Sequence, residues 1–416
     1  MTHPKMGYTY VGVDSHKDTH TAVFLDCFFE ILGEASFDGM PSSFPAFLEK
    51  AESLKADGTE LMFGLEDASM YGRLLAAFLV RNGHRVKHVN ALLVARERKN
   101  RNIVEKTDAV DAECAARVLI SKFGELPGVD IDDRYYMLRT LVMRRGFIVK
   151  NNISLMNHLH SIILQHYPGY QSFFPNIDSM ASLAFLMRFP STAALEGVTH
   201  GELAAVLMEA SNNRVGAGKS GMERAREILD MIQDTALPFQ EIRDEAVRST
   251  VRQIQANLTE IKQLEKTMAL FLKKFECTLT SMDGIDIVCA AQILACIGDI
   301  KNFPTPAKLA RYAGIAPVTY ASGQKTLQYA NQRGNRELNS VFYLLAVRLI
   351  TTVGVTNRIR NPFFYEYYHK KISEGKTKRQ ALKCVQRRLV NIIWTMMKNS
   401  EEYVNPPLLE KPKETS

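Results

Sequence analysis

The sequence has no Cys-x-x-Cys pair, and none of its six cysteines (Cys27, Cys114, Cys277, Cys289, Cys296, Cys384) has a histidine at zinc-finger spacing. A finger-type zinc site is thereby excluded and no disulfide framework is suggested, so these residues are expected to be buried reduced thiols. No apolar run reaches the ~18 residues of a membrane-spanning helix; the most apolar stretch, 341–355, is broken by Arg348. The opening MTHPKMGYTY lacks the charged leader and apolar core of a secretory signal. Compositional bias is absent too: 46% hydrophobic and 23% charged residues over 416 positions exclude a disordered or low-complexity chain and suit two or three compact domains. A cytoplasmic protein with no membrane partner is expected.

What is present is positive charge, and it is unevenly placed. The net charge is +7. Residues 81–106 hold 8 basic and 2 acidic side chains, and residues 358–388 hold 10 and 2. These two stretches exceed the whole surplus, so the remainder of the chain is net acidic. An anionic partner is expected at the basic stretches, and nucleic acid fits best.

The first 125 residues alternate strand and helix signals. Strands are expected at 8–13, ending in Asp14, at 19–25, 31–37, 60–65 (running into Glu66) and 85–89, with helices at 42–54 (Ser42 or Ser43 as N-cap), 71–82 and 107–123. Three adjacent strands followed by strands separated by helices predict a mixed sheet covered on both faces, an order compatible with a ribonuclease H-like domain. A helix follows over 134–164, then short helices and loops punctuated by Pro168, Pro175 and Pro190. From Val247 to Phe275 apolar residues recur alternately four and three apart, with Glu265 out of pattern. Such a heptad seam either packs on its own domain or pairs two copies; its length favours a coiled coil and a homodimer. Beyond Cys277, MDGIDIVCAAQILACIGDI resembles a helix-hairpin-helix element, a weak signal. The rest is helical except the polar segment 319–335. The expected domains are thus 1–165 (α/β nuclease-like), 166–240 (helical connector), 241–276 (coiled coil), 277–400 (all-α, helix-hairpin-helix-like) and 401–416 (flexible tail).

Four acids stand at element ends: Asp14, Glu66, and Asp108 with Asp111 in KTDAVDAECAARVL. Spacing of i and i+3 puts the last two on one helix face, about 5–6 Å apart at Cβ. Four hard oxygen donors from separate elements suit magnesium or manganese rather than zinc. Each also has a plain structural reading. Asp108 near a helix start is favoured by the helix dipole, Asp14 could cap a turn, and Asp67 could replace Glu66 as ligand. Ser322 before Gly323 reads by itself as a loop turn. Arg96, Arg98, Lys99 and Arg101 form either a phosphate footprint or a solvated face. Near the C-terminus, Phe363, Phe364, Tyr365, Tyr367 and Tyr368 are mixed with Lys378, Arg379, Arg387 and Arg388; the aromatics read better as a packed helix face whose charged side meets nucleic acid than as base-stacking platforms.

The order VGVDSHKDTH, FGLEDASMYG, KTDAVDAECAARVL and YAGIAPVTYASGQKTLQYANQRGNREL resembles the DEDD transposases of the insertion-sequence-110 family, which also contains Piv-type invertases. The resemblance covers essentially the whole chain. It implies a RuvC-like N-terminal domain in which Asp14, Glu66, Asp108 and Asp111 hold a divalent metal (Mg2+ or Mn2+). It also implies a C-terminal domain in which Ser322 attacks the DNA backbone and forms a phosphoserine link, with Lys325, Arg333 and Arg336 as candidate phosphate partners. Further implications are a structured guide RNA, double-stranded donor and target DNA, and a homodimer assembling to a tetramer. Two departures stand out: Asn90 is followed by Ala91 where proline is common, and Gln324 replaces a small or basic residue. The runner-up is a metal-dependent junction endonuclease with water as nucleophile; a noncatalytic nucleic-acid-binding protein is the third reading.

Overall fold

The computed structural model describes residues 3–66, 70–129, 134–211, 220–231, 238–322, 325–332, 334–353 and 358–405. The chain forms two compact units, Met1–Tyr136 and Met137–Ser416.

The first unit is built on five strands: β1 (Tyr8–Ser15), β2 (Thr19–Leu25), β3 (Ile31–Asp38), β4 (Glu60–Leu65) and β5 (Arg85–His88). Their order is β3-β2-β1-β4-β5. β1 pairs antiparallel with β2 and parallel with β4; β3 is antiparallel to β2, and β5 parallel to β4. Four helices accompany the sheet: α1 (Phe44–Leu54), α2 (Arg73–Arg81), α3 (Ala91–Asn100) and α4 (Asp108–Ser121). Side chains alternate across a strand, and the two faces have separate cores. Val11, Val13, Phe63 and Leu65 pack with Phe44 and Phe47 of α1 and Leu75 and Leu79 of α2. Tyr10 and Met62 pack with Ala112, Ala115, Ala116 and Leu119 of α4. The mixed sheet covered on both faces is therefore as expected. Ser43 does stand immediately before α1, but its hydroxyl donates to the carbonyls of Asp38 (2.6 Å) and Met40 (2.8 Å) instead of capping the helix. Helix α3 was not anticipated. Asn90 caps it by accepting from the Leu92 amide at 2.8 Å, so Ala91 takes the first helical position, where proline is also tolerated.

The second unit is mostly helical: α5 (Arg134–His166, begun at the end of the first unit), α6 (Met180–Arg188), α7 (His200–Ala210), α8 (Gly221–Met231), α9 (Gln240–Leu272), α10 (Ile287–Ile297) and α11 (Pro306–Tyr312). A hairpin of β6 (Val318–Ser322) and β7 (Lys325–Tyr329) follows, then α12 (Arg336–Ile350), α13 (Pro362–Ser373) and α14 (Lys378–Asn399). Most of α5 thus lies in the second unit.

The heptad seam is in part buried within the chain itself. Val247, Val251 and Ile254 of α9 are fully buried in one core with Leu159 and Ile163 of α5 and Phe185 of α6. Met268 is fully buried as well. Glu265, out of pattern in the repeat, is paired with Arg145 of α5 at 2.7 Å. Leu258 and Ile261, in the middle of the stripe, are only half-buried; a 33-residue helix packed on neighbours needs an apolar stripe whether or not a second copy is present. The helix-hairpin-helix-like segment forms α10 between Gly284 (φ +89°) and Gly298 (φ +67°). At its start Asp286 accepts from the Cys289 amide at 2.8 Å and pairs with Arg348 at 3.1 Å. The protein itself supplies the negative charge favoured at that terminus.

Candidate active site

The acidic residues converge at one edge of the sheet in the first unit. The parallel register runs from Tyr8 opposite Glu60 to Val13 opposite Leu65. Asp14 and Glu66 come next after this last pair along the two neighbouring strands, and the Glu66 amide donates to the Val13 carbonyl at 3.2 Å. Asp14 continues the face of Tyr10 and Gly12, which is the face covered by α4. Helix α4 starts at the same edge: Thr107 caps it through a bond from the Val110 amide at 3.2 Å, placing Asp108 and Asp111 in its first turn. Gly12 sets the depth of this helix. A Cβ there would lie 2.0 Å from the Ala112 carbonyl oxygen and 2.3 Å from the Ala116 nitrogen, so only glycine admits α4 this close.

Asp14 and Asp111 are buried, whereas Asp108 is exposed. His16, two residues past Asp14 and assigned no role by sequence, bridges two of the acids. Its Nε2 lies 3.1 Å from Asp14 Oδ2 and 3.2 Å from Asp108 Oδ1. One donor atom each from Asp14, His16 and Asp108 fall within 4.8 Å of one another. Asp111 instead pairs with Arg98 of α3. Asp67, the alternative to Glu66, lies outside the described residues.

The electrostatics are those of crowded carboxylates. Burial pushes the Asp14 carboxyl above the ordinary carboxylate range; His16 opposes this, while Asp108 and Asp111 reinforce it. Glu66 is raised by burial first, then by Asp14 and Asp111, against Lys106 and Arg98. Desolvation lowers the His16 pKa, but Asp14 and Asp108 outweigh it and the net shift is upward. A divalent cation fits this donor set: the oxygens are hard, they come from separate rigid elements, and repulsion among them is what a cation would relieve.

The basic cluster before α4 divides in two. Arg96 and Lys99 are exposed on α3. Arg98 is committed to Asp111, and Arg101 to Glu113 at 3.0 Å, so these two brace α4 instead of forming an open cationic face. Glu113 also holds Arg117 at 2.8 Å.

In the second unit, Ser322 ends β6 and pairs across the hairpin with Lys325 at the start of β7. Gly323, Gln324 and Arg333 lie outside the described residues. The hairpin base is fixed by residues from both sides of it. Gly334 packs on Gly314 so tightly that a Cβ at 334 would be 2.2 Å from the Gly314 nitrogen. Asn335 caps α12 by accepting from the Leu338 amide at 2.9 Å and donates through Nδ2 to the Tyr312 hydroxyl at 3.0 Å. Asn339 donates to the Ala313 carbonyl at 2.7 Å. Gly314 and its neighbours thus form one structural clamp with Gly334, Asn335 and Asn339. Arg336 is exposed at the start of α12, as are Lys378 and Arg379 in the first turn of α14. Arg388 stacks over the rings of Phe363 (4.7 Å) and Tyr367 (5.0 Å), and Arg387 bonds Asn391. Phe363 and Phe364 are buried, which is the packed-face reading of that aromatic run.

A carboxylate cluster at the edge of a mixed sheet, joined in one chain to a helical unit that displays a serine hairpin, defines a protein with two separate sets of candidate reactive groups. Comparison with known proteins identifies which kind. The model of the IS110-type DEDD transposase domain, described as "Transposase", matches residues 11–168. The model of the "Transposase IS116/IS110/IS902 family" matches residues 277–369. The chain is 25% identical over 401 residues to the "Insertion element IS116 uncharacterized 44.8 kDa protein" of Streptomyces clavuligerus, covering 96% of both chains. It is 27% identical over 305 residues to the corresponding IS110 protein, of 43.6 kDa, from Streptomyces coelicolor, covering 72% of each. The "Pilin gene-inverting protein" of Moraxella bovis is 28% identical over 130 residues, 30% of this chain and 37% of that protein. The chain belongs to the IS110 family of transposases, and its substrate is accordingly DNA. Among the described residues no helix is long and apolar enough to cross a membrane.

Proposed function

We propose that this transposase cuts and rejoins DNA by way of a phosphoserine intermediate on Ser322, assisted by a divalent metal at a RuvC-like site formed by Asp14, Glu66, Asp108 and Asp111. The observation that carries the reading is the convergence of these acids at the ends of β1, β4 and α4. Magnesium or manganese held there would stabilise charge developing on phosphate oxygens. In the serine step, the Ser322 Oγ–phosphorus bond forms as a backbone phosphorus–oxygen bond breaks. The hydroxyl proton passes to a base and the departing oxygen acquires a proton. Resealing reverses these events, so bond energy is conserved and no high-energy cofactor is consumed. A serine hydroxyl is a weak nucleophile and needs nearby cations to hold the phosphorane charge; Lys325, Arg333 and Arg336 are candidates by position in sequence.

Donor and target duplexes must be held together, which calls for more than one copy, a homodimer assembling to a tetramer. Target choice is assigned to a structured guide RNA, and the reaction to the bacterial cytoplasm, at the nucleoid. The test is strand exchange between supercoiled donor and target plasmids with the element's noncoding RNA and Mg2+. Wild type recombines, while Ser322→Ala and Asp14→Asn each abolish exchange. Exchange by Ser322→Ala would leave the carboxylate site acting alone, with water as nucleophile.

A further inference from the structure

Beside the base of the serine hairpin lies an open groove of about 720 Å³. Its walls include Tyr320 and Tyr329 from the hairpin, Tyr312, Lys308 and Arg311 from α11, and Gln332 from the segment leading to α12. Strand pairing explains the two hairpin tyrosines. Val318 is opposite Tyr329 and Tyr320 is opposite Leu327, so all four share one face, with Tyr320 and Tyr329 as diagonal neighbours. Their rings meet edge to face with centroids 5.5 Å apart.

These aromatics are not a core. Tyr320 is 62% exposed, Tyr329 54% and Tyr312 39%. Exposing three large rings in one groove forgoes the burial that normally recovers their hydrophobic free energy. Tyr312 is held in place at its hydroxyl, which accepts from Asn335 at 3.0 Å and donates to the Cys296 carbonyl at 3.2 Å, leaving a fixed ring face. Lys308 and Arg311 are exposed on the helix that carries it, and no carboxylate lines the groove among the described residues. Flat apolar faces, two cations, two amides (Asn331 and Gln332) and no anion make a poor seat for a protein segment or a lipid chain. They match an unpaired nucleotide, whose base stacks on aromatic rings while its phosphate meets Lys or Arg. Ser322 follows Tyr320 by two residues on the same strand, about 7 Å along the backbone at ~3.4 Å per residue.

We infer that this groove holds one unpaired nucleotide of the strand being processed, Tyr320 and Tyr329 stacking on the base and Lys308 and Arg311 taking its phosphate, thereby positioning the backbone for Ser322. The inference rests on the DNA-recombinase reading, but its test does not require recombination. Full-length protein is titrated against 10-mer single-stranded oligonucleotides carrying one 2-aminopurine, as DNA and as RNA, with a blunt 20-bp duplex as control. Stacking quenches the fluorescence. Tyr320→Ala and Tyr329→Ala are expected to weaken single-strand binding roughly 5- to 100-fold and to relieve quenching. Tyr320→Phe keeps both, because the ring and not the hydroxyl is used. Lys308→Ala reduces the salt dependence of binding by about one charge. Duplex binding and circular dichroism stay at wild-type values, which separates the groove from misfolding. Loss on DNA identifies the substrate strand as occupant, and loss confined to RNA assigns the groove to the guide instead, overturning the substrate-strand assignment. Wild-type affinity and quenching in both tyrosine variants, on both oligonucleotides, overturn the nucleotide groove altogether, even if Ser322-dependent strand exchange is intact.

Discussion

Gly12 of β1 and Ala112 of α4 touch backbone to backbone: a Cβ on Gly12 would be 2.0 Å from the Ala112 carbonyl oxygen. That contact lowers the first turn of α4 onto the end of the sheet, where Asp108 and Asp111 meet Asp14. The acidic site therefore depends on a residue with no side chain.

Gly12→Ala should push α4 off the sheet. Overpacking of this kind costs about 1–3 kcal/mol, or roughly 4–12 °C in melting temperature for a unit of this size. Calorimetric Mn2+ binding should weaken in parallel as the carboxylates separate. Unchanged melting and unchanged Mn2+ affinity would show that α4 does not set the site.

Arg98 holds Asp111, so if Asp111 is a metal ligand as proposed, Arg98→Gln should tighten Mn2+ binding. A partly buried pair worth about 1 kcal/mol corresponds to a gain of roughly fivefold, read by titration calorimetry. Weaker binding in the variant would mean that Arg98 orients Asp111 and does not compete.

Ile254→Ala separates the two uses of the heptad seam. Ile254 is fully buried against the chain's own helices, so truncation should cost about 2–5 kcal/mol of stability, measured by urea unfolding. A seam joining two copies would instead yield a folded species of lower mass in light scattering, with unfolding of the monomer unaffected.

Much of this was legible in the sequence because local rules and tertiary packing agreed. Strand β1 carrying Asp14 near its end, β4 running into Glu66, and the i, i+3 acids after Thr107 each have a physical signature in the chain. What escaped reading is what tertiary contact decides. Periodicity records that α9 has an apolar stripe but not whether α5 and α6 or a second copy covers it. Charge counts located the 96–101 cluster, yet could not tell exposed Arg96 and Lys99 from Arg98 and Arg101, whose partners lie on α4. His16 was missed because it lies just past the end of β1, in the connection to β2, where no periodicity tells which way a side chain points. The β6–β7 hairpin was missed because its strands are short and polar, although Val318 and Tyr320 on one face, with Thr319 between, already alternate.

Gly334→Ala tests the clamp beneath that hairpin. Its Cβ would collide with the backbone of Gly314, displacing the hairpin without altering the first unit. Strand exchange should fall on the order of 100-fold, as expected for misplacement of a reacting group, while Mn2+ binding at the acidic site stays at the wild-type value. Full recombination by this variant would mean that hairpin position is immaterial to the reaction.

The most direct test of the serine mechanism is to look for the bond itself. A donor substrate interrupted near the cleavage position traps the reaction after the first cut, and the protein is then digested and analysed by mass spectrometry. The predicted result is a nucleotide adduct on the peptide containing Ser322, lost in Ser322→Ala and dependent on Asp14. Cleaved DNA with no adduct, or an adduct on another residue, would contradict the account.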